Sequence, residues 1–267
     1  MNLTQEERSA GALSQERVAE ALLTFRDTGL VVLENLLDAA WVAEVQAAYN
    51  RALEARIAAK GGLGALQQTP TEKNHLSFYP PLIAPFSDPR IIANPLALQV
   101  MEALLGKDLQ CNFYHSNTSY PGSEKQNVHR DAGHLFGTTV PGALPVTHIA
   151  LNVPLCDFTE ANGSTEIWPG THLIVDADGA DGRRLNERVE GLPSTRTNIS
   201  AGSLVLRDMR MWHRGMPNAT EAPRTMLALI YRRGWLTERT ILNIPQATWD
   251  GWPERAHQIF RGNHVTP

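Results

Sequence analysis

The chain has 267 residues, 42% of them hydrophobic, which suffices for a substantial buried core. Its 24 basic and 28 acidic residues give a net charge of −4, so the basic surplus typical of proteins that bind nucleic acids or anionic membranes is absent. Two cysteines, Cys111 and Cys156, are too few for a disulfide scaffold or a thiolate zinc site. The sequence shows neither an export signal nor a run of about eighteen apolar residues. We therefore expect a cytoplasmic protein.

The first third of the chain has the apolar periodicity of helices. A helix with Ser14 as its N-cap is predicted to end at Gly29, and a second is predicted to begin at Asp38 and to end at the glycines that follow residue 60. Residues 61–90 combine Gly, Pro and polar residues without periodicity, so we expect a long loop and a candidate lid there. A strand at 30–33 and a third helix at 95–105 complete this part.

From residue 109 onward, short β-favouring segments alternate with Gly and Pro. This pattern predicts an antiparallel sandwich or barrel, with a jelly roll among the possibilities, and the helices would cover one of its faces. We expect one domain over 1–267, with a helical flank and lid at 1–108, a β core at 109–235 and an irregular cap at 236–267. The predicted strands lie at 109–114, 147–153, 165–168, 203–207 and 225–231.

Three side chains have the character of a metal site. In an extended strand the side chains of His129 and Asp131 point to the same face, and His213 lies just beyond a later apolar strand that a barrel would bring close. Two imidazoles and one carboxylate on one face of an octahedral ion are the ligand set of non-haem Fe(II) oxygenases. Zinc hydrolysis also uses such a set, although the usual His-Glu-x-x-His helix is missing from this sequence.

One arginine has the character of a carboxylate anchor. Arg224 follows Pro223 and begins the strand predicted at 225–231, eleven residues after His213. Fe(II) oxygenases commonly take two electrons from 2-oxoglutarate, and the planar fork of an arginine suits the distal carboxylate of that molecule. The alternative is an ordinary surface arginine.

The sequence resembles the phytanoyl-CoA dioxygenase family of Fe(II)/2-oxoglutarate-dependent oxygenases over residues 25 to 232. Four segments carry the resemblance and occur in the family's order. They are FRDTGLVVL at 25–33, HRD at 129–131, NGSTEIWPGTH at 162–172, and WHR at 212–214 followed by Arg224.

The resemblance implies a double-stranded β-helix, which is a jelly-roll, cupin-like core. It implies His129, Asp131 and His213 as iron ligands, Arg224 as the 2-oxoglutarate anchor, and O2 as second cosubstrate. The resemblance implies that the Thr165 hydroxyl contacts the cosubstrate. Asn127 stands two positions before the first ligand, where relatives often carry a glutamine that binds the cosubstrate. The segment at 162–172, which contains Thr165, also contains His172. We expect His172 to be structural because a histidine at the end of a turn usually satisfies backbone groups.

We therefore expect an Fe(II)- and 2-oxoglutarate-dependent dioxygenase that oxidises a C–H bond of a small-molecule metabolite, free or tethered to a carrier or to CoA. Hydroxylation is the expected outcome, and desaturation, epimerisation or cyclisation would begin with the same abstraction of hydrogen. Secondary metabolism is a plausible setting. Two alternatives stay open: a non-catalytic jelly roll that binds a small ligand, and a zinc-dependent hydrolase or isomerase on a cupin-like barrel. The sequence makes no prediction of oligomeric state.

Overall fold

The structure, a computed structural model, describes residues 1–66, 73–140, 142–175, 184–237 and 241–267. The helices within these ranges are α1 Gln5–Ala10, α2 Gln15–Thr28, α3 Ala39–Ala59, α4 Pro89–Ile92, α5 Pro95–Leu105, α6 Leu185–Arg188, α7 Gln246–Asp250 and α8 Glu254–Phe260. The strands are β1 Leu30–Leu33, β2 His75–Phe78, β3 Gln110–Ser119, β4 His148–Pro154, β5 Glu166–Ile167, β6 Thr195–Arg196, β7 Leu204–Asp208, β8 His213–Arg214, β9 Arg224–Arg232, β10 Asn243–Pro245 and β11 His264–Thr266.

Two antiparallel sheets form the β core. The large sheet has six strands in the order β1-β7-β4-β9-β3-β2, and the small sheet has three in the order β6-β5-β8. Residues of both sheets line one cavity of about 440 Å³. The architecture is mainly β with flanking helices, and the predicted jelly roll is confirmed.

The helices cover the outer face of the large sheet, as the apolar periodicity predicts. Phe25 of α2, Val45 of α3 and Met101 of α5 are buried in one apolar cluster with Leu206 of β7. Polar contacts reinforce this packing, since the Tyr49 hydroxyl lies 2.6 Å from Ser116 Oγ on β3. Buried side chains of this size each contribute roughly 1.5–3 kcal/mol, so the layer of helices holds the large sheet rigid behind the cavity.

The predicted helix boundaries follow from their caps. The Ser14 hydroxyl accepts a hydrogen bond from Arg17 N at the start of α2, and Gly29 ends that helix in the left-handed conformation. The Asp38 carboxylate accepts a hydrogen bond from Trp41 N at the start of α3. Both N-caps predicted from the sequence are therefore confirmed.

The prediction of a structureless loop over 61–90 was wrong in part. Strand β2 lies within that range and pairs with β3, and α4 begins at its end. The strand has four residues and lies at the edge of the large sheet, and its sequence shows no clean alternation of apolar and polar residues. No periodic signal therefore marked it as a strand. Residues 67–72 of the proposed lid lie outside the described residues, and the lid stays a prediction.

The prediction of an irregular segment over 236–267 was also wrong in part. Its described residues form α7, α8 and the parallel pair of β10 and β11. Side chains tie this segment to the N-terminal half, since Trp252 Nε1 donates to the Ser87 carbonyl at 2.9 Å. Two prolines of this segment, Pro245 and Pro253, stand directly before α7 and α8, where a proline favours the start of a helix. No helix in the described ranges is long and apolar enough to cross a membrane.

Gly29, which ends α2 just before β1, closely approaches the side chain of His172. A Cβ at Gly29, where φ is +81°, would lie 2.7 Å from His172 Nδ1, and His172 Nε2 lies 3.1 Å from the Arg26 carbonyl that holds its ring. Gly29→Ala is therefore expected to lower the free energy of unfolding by about 2–4 kcal/mol, from the left-handed backbone and the overlap together.

Gly61→Ala is the matched control for this prediction. Gly61 has nearly the same φ, +83°, and no atom within 4 Å of the Cβ position. Its substitution should cost only the backbone term of about 1–2 kcal/mol. Chemical denaturation of both variants measures the difference, and equal losses would show that contact with His172 contributes nothing.

Candidate metal centre

The cavity lies between the two sheets and is lined by alternate residues of the large one. Along β9 the cavity side chains are every second residue, as the pleat of a strand requires. Strands β3, β4 and β7 follow the same rule, and loop residues and the small sheet close the opposite side. The β9 residues in the lining are Arg224, Met226, Ala228 and Ile230.

Backbone pairing brings the three predicted ligands together. His129 pairs with His213 at the edge of the small sheet, with His129 N donating to the His213 carbonyl at 3.0 Å and His213 N donating back at 2.9 Å. Asp131 N donates to the Met209 carbonyl at 2.9 Å, which turns the chain so that the carboxylate faces the histidines. All three side chains line the cavity.

The three side chains form a compact donor set. Asp131 Oδ1 lies 3.8 Å from His129 Nε2, and Asp131 Oδ2 lies 3.5 Å from His213 Nε2. The imidazole rings are 4.3 Å apart between centroids, and one ligand atom from each residue lies within 4.8 Å of the others. Among the described residues, this is the cluster of His, Cys, Asp and Glu side chains that is tight enough to hold a metal ion.

Hydrogen bonds set both histidines in the tautomer that a metal needs. His129 Nδ1 lies 2.8 Å from the Asn127 carbonyl and His213 Nδ1 lies 3.0 Å from the Met211 carbonyl. A carbonyl can only accept, so each Nδ1 carries the proton and each Nε2 offers a lone pair toward Asp131.

The charge states of the donors also suit a metal. Burial and the neighbouring Arg207 cation lower the pKa of His213 to about 3, so its imidazole is neutral at neutral pH. Burial raises the pKa of Asp131, but His213, which is protonated in the acid range where Asp131 titrates, and the Arg207 cation outweigh burial and hold that pKa below its usual range. A neutral imidazole and an ionised carboxylate are the forms that bind divalent iron. The donor set therefore fits the predicted metal.

The sequence reasoning missed Arg207, a buried arginine beside the ligands. Its Nη2 donates to Asp131 Oδ2, and its Nη1 lies 3.2 Å from His213 Nδ1. Since His213 Nδ1 already carries a proton for Met211, the contact with Nη1 is electrostatic and not a hydrogen bond. A signal was present in the sequence, because an arginine inside the apolar run of β7 needs a buried anionic partner.

Arg224 lies in the cavity with its donors unsatisfied. The residue is 2% exposed, and neither Nε nor Nη1 has a hydrogen-bond partner among the described residues. Its guanidinium lies over the Phe158 ring, 4.5 Å from the centroid, and burial lowers its pKa to about 10. A buried cation without an anion is costly, so these free donors fit the distal carboxylate of 2-oxoglutarate.

Thr165 and Asn127 have different placements. Thr165 lines the cavity, and its carbonyl accepts from Thr197 N at 2.9 Å. Asn127 lies outside the described lining of the cavity, and its Oδ1 accepts from Asn186 Nδ2 at 2.8 Å. The segment before His129 is irregular, so alternation of faces does not hold there, and Gln126 lines the cavity instead. The structure does not bring Asn127 to the predicted cosubstrate site.

Four other histidines either make a structural contact or line the cavity. His172 is buried against Gly29, and His134 Nε2 lies 2.8 Å from the Ile174 carbonyl, which gives both a structural contact. His115 and His148 line the cavity. Ser77 Oγ lies 2.9 Å from His115 Nδ1 on the wall that faces the metal ligands.

A comparison with protein families decides the relationship. The sequence matches the family described as phytanoyl-CoA dioxygenase (PhyH) over residues 25–226, which is more than half of the chain. The chain belongs to the phytanoyl-CoA dioxygenase family. The matched span includes all three donors and Arg224, so the family predicted from four short segments is confirmed.

One curated relative is similar to this chain in sequence. The dioxygenase af480 of Aspergillus fumigatus is 29% identical over 188 residues, which are 67% of this chain and 56% of that protein. The chain thus spans little more than half the length of this relative.

Three solved structures are similar to this chain in fold. The epimerase SnoN from nogalamycin biosynthesis, in complex with Fe3+, alpha ketoglutarate (2-oxoglutarate) and nogalamycin RO, has a TM-score of 0.65 at 20% identity, over 95% of this chain and 97% of that chain. The carbocyclase SnoK has a TM-score of 0.58 at 19% identity, over 84% and 85%. HygX from Streptomyces hygroscopicus, with nickel, 2-oxoglutarate and hygromycin B bound, has a TM-score of 0.61 at 15% identity, over 87% and 91%. At such low sequence identities, the TM-scores show that the fold is shared.

Proposed function

We propose that this protein is an Fe(II)- and 2-oxoglutarate-dependent dioxygenase that oxidises a C–H bond of a small-molecule metabolite. The observation that carries the proposal is Arg224, whose buried donors lack an anion in the same cavity as the three metal ligands. Family membership supports the assignment, since the family carries this chemistry. SnoN and SnoK, named for nogalamycin biosynthesis, support a substrate from secondary metabolism.

Each residue of the site has a distinct task in this reaction. When bound, iron would activate O2 as the oxidant, with two electrons supplied by 2-oxoglutarate as it is converted to succinate and CO2 and two by the substrate C–H bond that is oxidised. His129, Asp131 and His213 would hold the ion and leave its other coordination positions to the cosubstrates. Arg224 holds the distal carboxylate through its fork of N–H donors, and Thr165 adds a hydroxyl contact.

The outcome we propose is hydroxylation. Desaturation, epimerisation and cyclisation begin with cleavage of the same bond, and SnoN and SnoK are named as an epimerase and a carbocyclase on this fold. A cavity of about 440 Å³ accommodates a small molecule or the reacting end of one tethered to a carrier or to CoA. The roles of the cavity walls are thus to orient the reacting C–H bond and to exclude water.

Two other functions fit the site less well. A non-catalytic ligand-binding jelly roll would not need two imidazoles and an ionised carboxylate whose ligand atoms lie within 4.8 Å of one another. A zinc hydrolase or isomerase would use the three donors but has no use for an unpaired arginine buried in the same cavity. The non-catalytic protein thus leaves the three metal donors unexplained, and the zinc enzyme leaves Arg224 unexplained.

Metal and oxygen dependence tests the proposal. Protein loaded with Fe(II) is incubated with 2-oxoglutarate and a panel of small metabolites, in air and under nitrogen, and succinate is measured. We expect succinate only with iron and only in air. Conversion of a panel member by zinc-loaded protein under nitrogen would contradict the proposal and support the hydrolase.

A further inference from the structure

The charges that line the cavity do not balance. Among the described residues of its lining, the one carboxylate belongs to Asp131, and the two guanidinium groups belong to Arg207 and Arg224. Glu166 on β5 lies outside that lining and is bonded to Arg214 at 2.6 Å. The cavity walls therefore carry one more guanidinium group than carboxylate groups.

Loading the proposed cofactors leaves this excess guanidinium charge in place. Fe(II) is a dication and 2-oxoglutarate a dianion, so the two cancel, and Arg224 and the distal carboxylate form one of the resulting pairs. The surplus is the charge of Arg207, which shares Asp131 with the metal. When a substrate displaces water from the cavity, the local dielectric falls and an uncompensated charge becomes costly. A substrate that carries an anion removes that cost.

Arg207 also has donors that a substrate can use. A guanidinium has five N–H donors, and the bond to Asp131 Oδ2 is made through Nη2. The Nη1 hydrogens face His213 Nδ1, which is itself protonated and bonded to the Met211 carbonyl. The neighbour of Arg207 Nη1 therefore cannot accept a hydrogen bond from it. An anion bound in the cavity could accept that hydrogen bond.

Arg207 stands in one row of cavity residues that crosses four neighbouring strands. Across the row, Arg207 on β7 is opposite Ala150 on β4, Ala150 is opposite Ile230 on β9, and Ile230 is opposite Phe113 on β3. Neighbouring strands lie about 4.8 Å apart, so the ends of the row are separated by roughly 14 Å. The small Ala150 and the apolar Ile230 form a floor between a cation and an aromatic ring.

The Phe113 end of the row continues to the surface as an aromatic wall, which consists of His115, Phe113 and Tyr79. The Phe113 ring lies 4.9 Å from the His115 ring, and Tyr79 packs edge-on at 5.9 Å from Phe113. Tyr79 is 61% exposed. The wall therefore offers a stacking surface that leads from solvent into the cavity, and ring-bearing molecules are the ligands that such a surface binds.

We propose that the substrate is a ring-bearing organic carboxylate, with its ring against Phe113 and its anionic group beside Arg207. The row of cavity residues gives the two anchors a separation that suits a molecule of one or two rings with a short acidic side chain. The inference rests on the proposed function and adds a substrate class to it.

Matched acid and amide pairs test the proposal without turnover. Ni(II)-loaded protein is saturated with 2-oxoglutarate and titrated calorimetrically with benzoate, hydrocinnamate and naphthalenepropanoate and with their neutral amides. At least one acid is expected to bind about tenfold or more tightly than its amide, because a buried charge-assisted pair forms only with the acid. No acid preference in any pair, including no binding by either member, would overturn the proposal.

Three variants assign the acid preference to its source. Arg207→Gln should reduce the ratio of acid to amide affinity to about three or less. Arg207→Lys should restore most of the wild-type ratio because the positive charge returns. Phe113→Ala should weaken acid and amide equally and leave the ratio unchanged. If Arg207 only positions Asp131, Arg207→Gln will lower Ni(II) affinity but leave the ratio as in the wild type, which would overturn the proposal.

The site of binding and the proposed function are tested separately. A tenfold rise in 2-oxoglutarate should not weaken acid binding, and if it does, the acids bind at Arg224 and the proposal is wrong. Iron- and O2-dependent succinate release by the wild type tests the dioxygenase itself. Succinate release together with an acid to amide ratio of one would refute the substrate class alone, and absence of succinate would refute the dioxygenase whatever the ratio.

Discussion

His129→Ala, Asp131→Asn and His213→Ala are each expected to abolish iron- and 2-oxoglutarate-dependent turnover. The two alanine variants each remove one of three donors that lie within 4.8 Å of one another, and Asp131→Asn removes the negative charge of the third, so the loss should exceed the roughly 10- to 100-fold effect of removing an outer-sphere partner of a metal. Asn is chosen at 131 because its side-chain oxygen still accepts from Arg207. Asp131→Ala would leave that buried cation unpaired and confuse lost chemistry with lost stability.

Bound iron, succinate and the thermal midpoint are measured for each variant. His264→Ala is the control, because His264 is an exposed histidine on β11, outside the described lining of the cavity. The control should keep full activity, and the ligand variants should fold but lose iron. Wild-type activity in any ligand variant would remove that residue from the metal site.

Arg224→Met is expected to weaken 2-oxoglutarate binding by about 2–5 kcal/mol, which is the cost of deleting one member of a buried charge pair. The effect should appear as a large rise in the apparent KM for 2-oxoglutarate with little change in iron affinity. Without 2-oxoglutarate the variant should be at least as stable as the wild type, because methionine removes a buried cation whose Nε and Nη1 lack partners among the described residues.

Arg232→Met is the matched control for Arg224. Arg232 is another buried arginine of β9, lies outside the described lining of the cavity and donates to Gln110 Oε1 at 3.0 Å. Its substitution should leave the KM for 2-oxoglutarate unchanged. A KM for 2-oxoglutarate in Arg224→Met equal to that of the wild type would disprove the anchor.

The sequence predicted the long elements well because they carry their own signals. The strand expected at 225–231 is observed as Arg224–Arg232, and the helix expected at 95–105 as Pro95–Leu105. Strand β8 has only two residues, His213 and Arg214, which is too short for any alternation to show. Its existence depends on pairing with β5 and on the bridge to His129, which are contacts distant in the chain.

The candidate site was predictable only where a residue type implied its partner. A carboxylate with two histidines pointed to a metal, and the structure brings all three together. Asn127 was assigned from the family resemblance, by its position two residues before the first ligand, but the backbone there is irregular and Gln126 takes the cavity position. Arg207 was overlooked because its anionic partner, Asp131, is placed by pairing of residues 129–131 with residues 209–213, and no local pattern reveals contacts so distant in the chain.

The fate of molecular oxygen tests the central claim most directly. Fe(II)-loaded protein is supplied with 2-oxoglutarate, 18O2 and a ring-bearing carboxylate selected by the binding titrations, and the succinate is analysed by mass spectrometry. A 2-oxoglutarate-dependent dioxygenase places one atom of O2 in succinate, so we expect singly labelled succinate from the wild type and none from His213→Ala. Substrate conversion without labelled succinate would contradict the assignment of Arg224 and the three ligands to this chemistry.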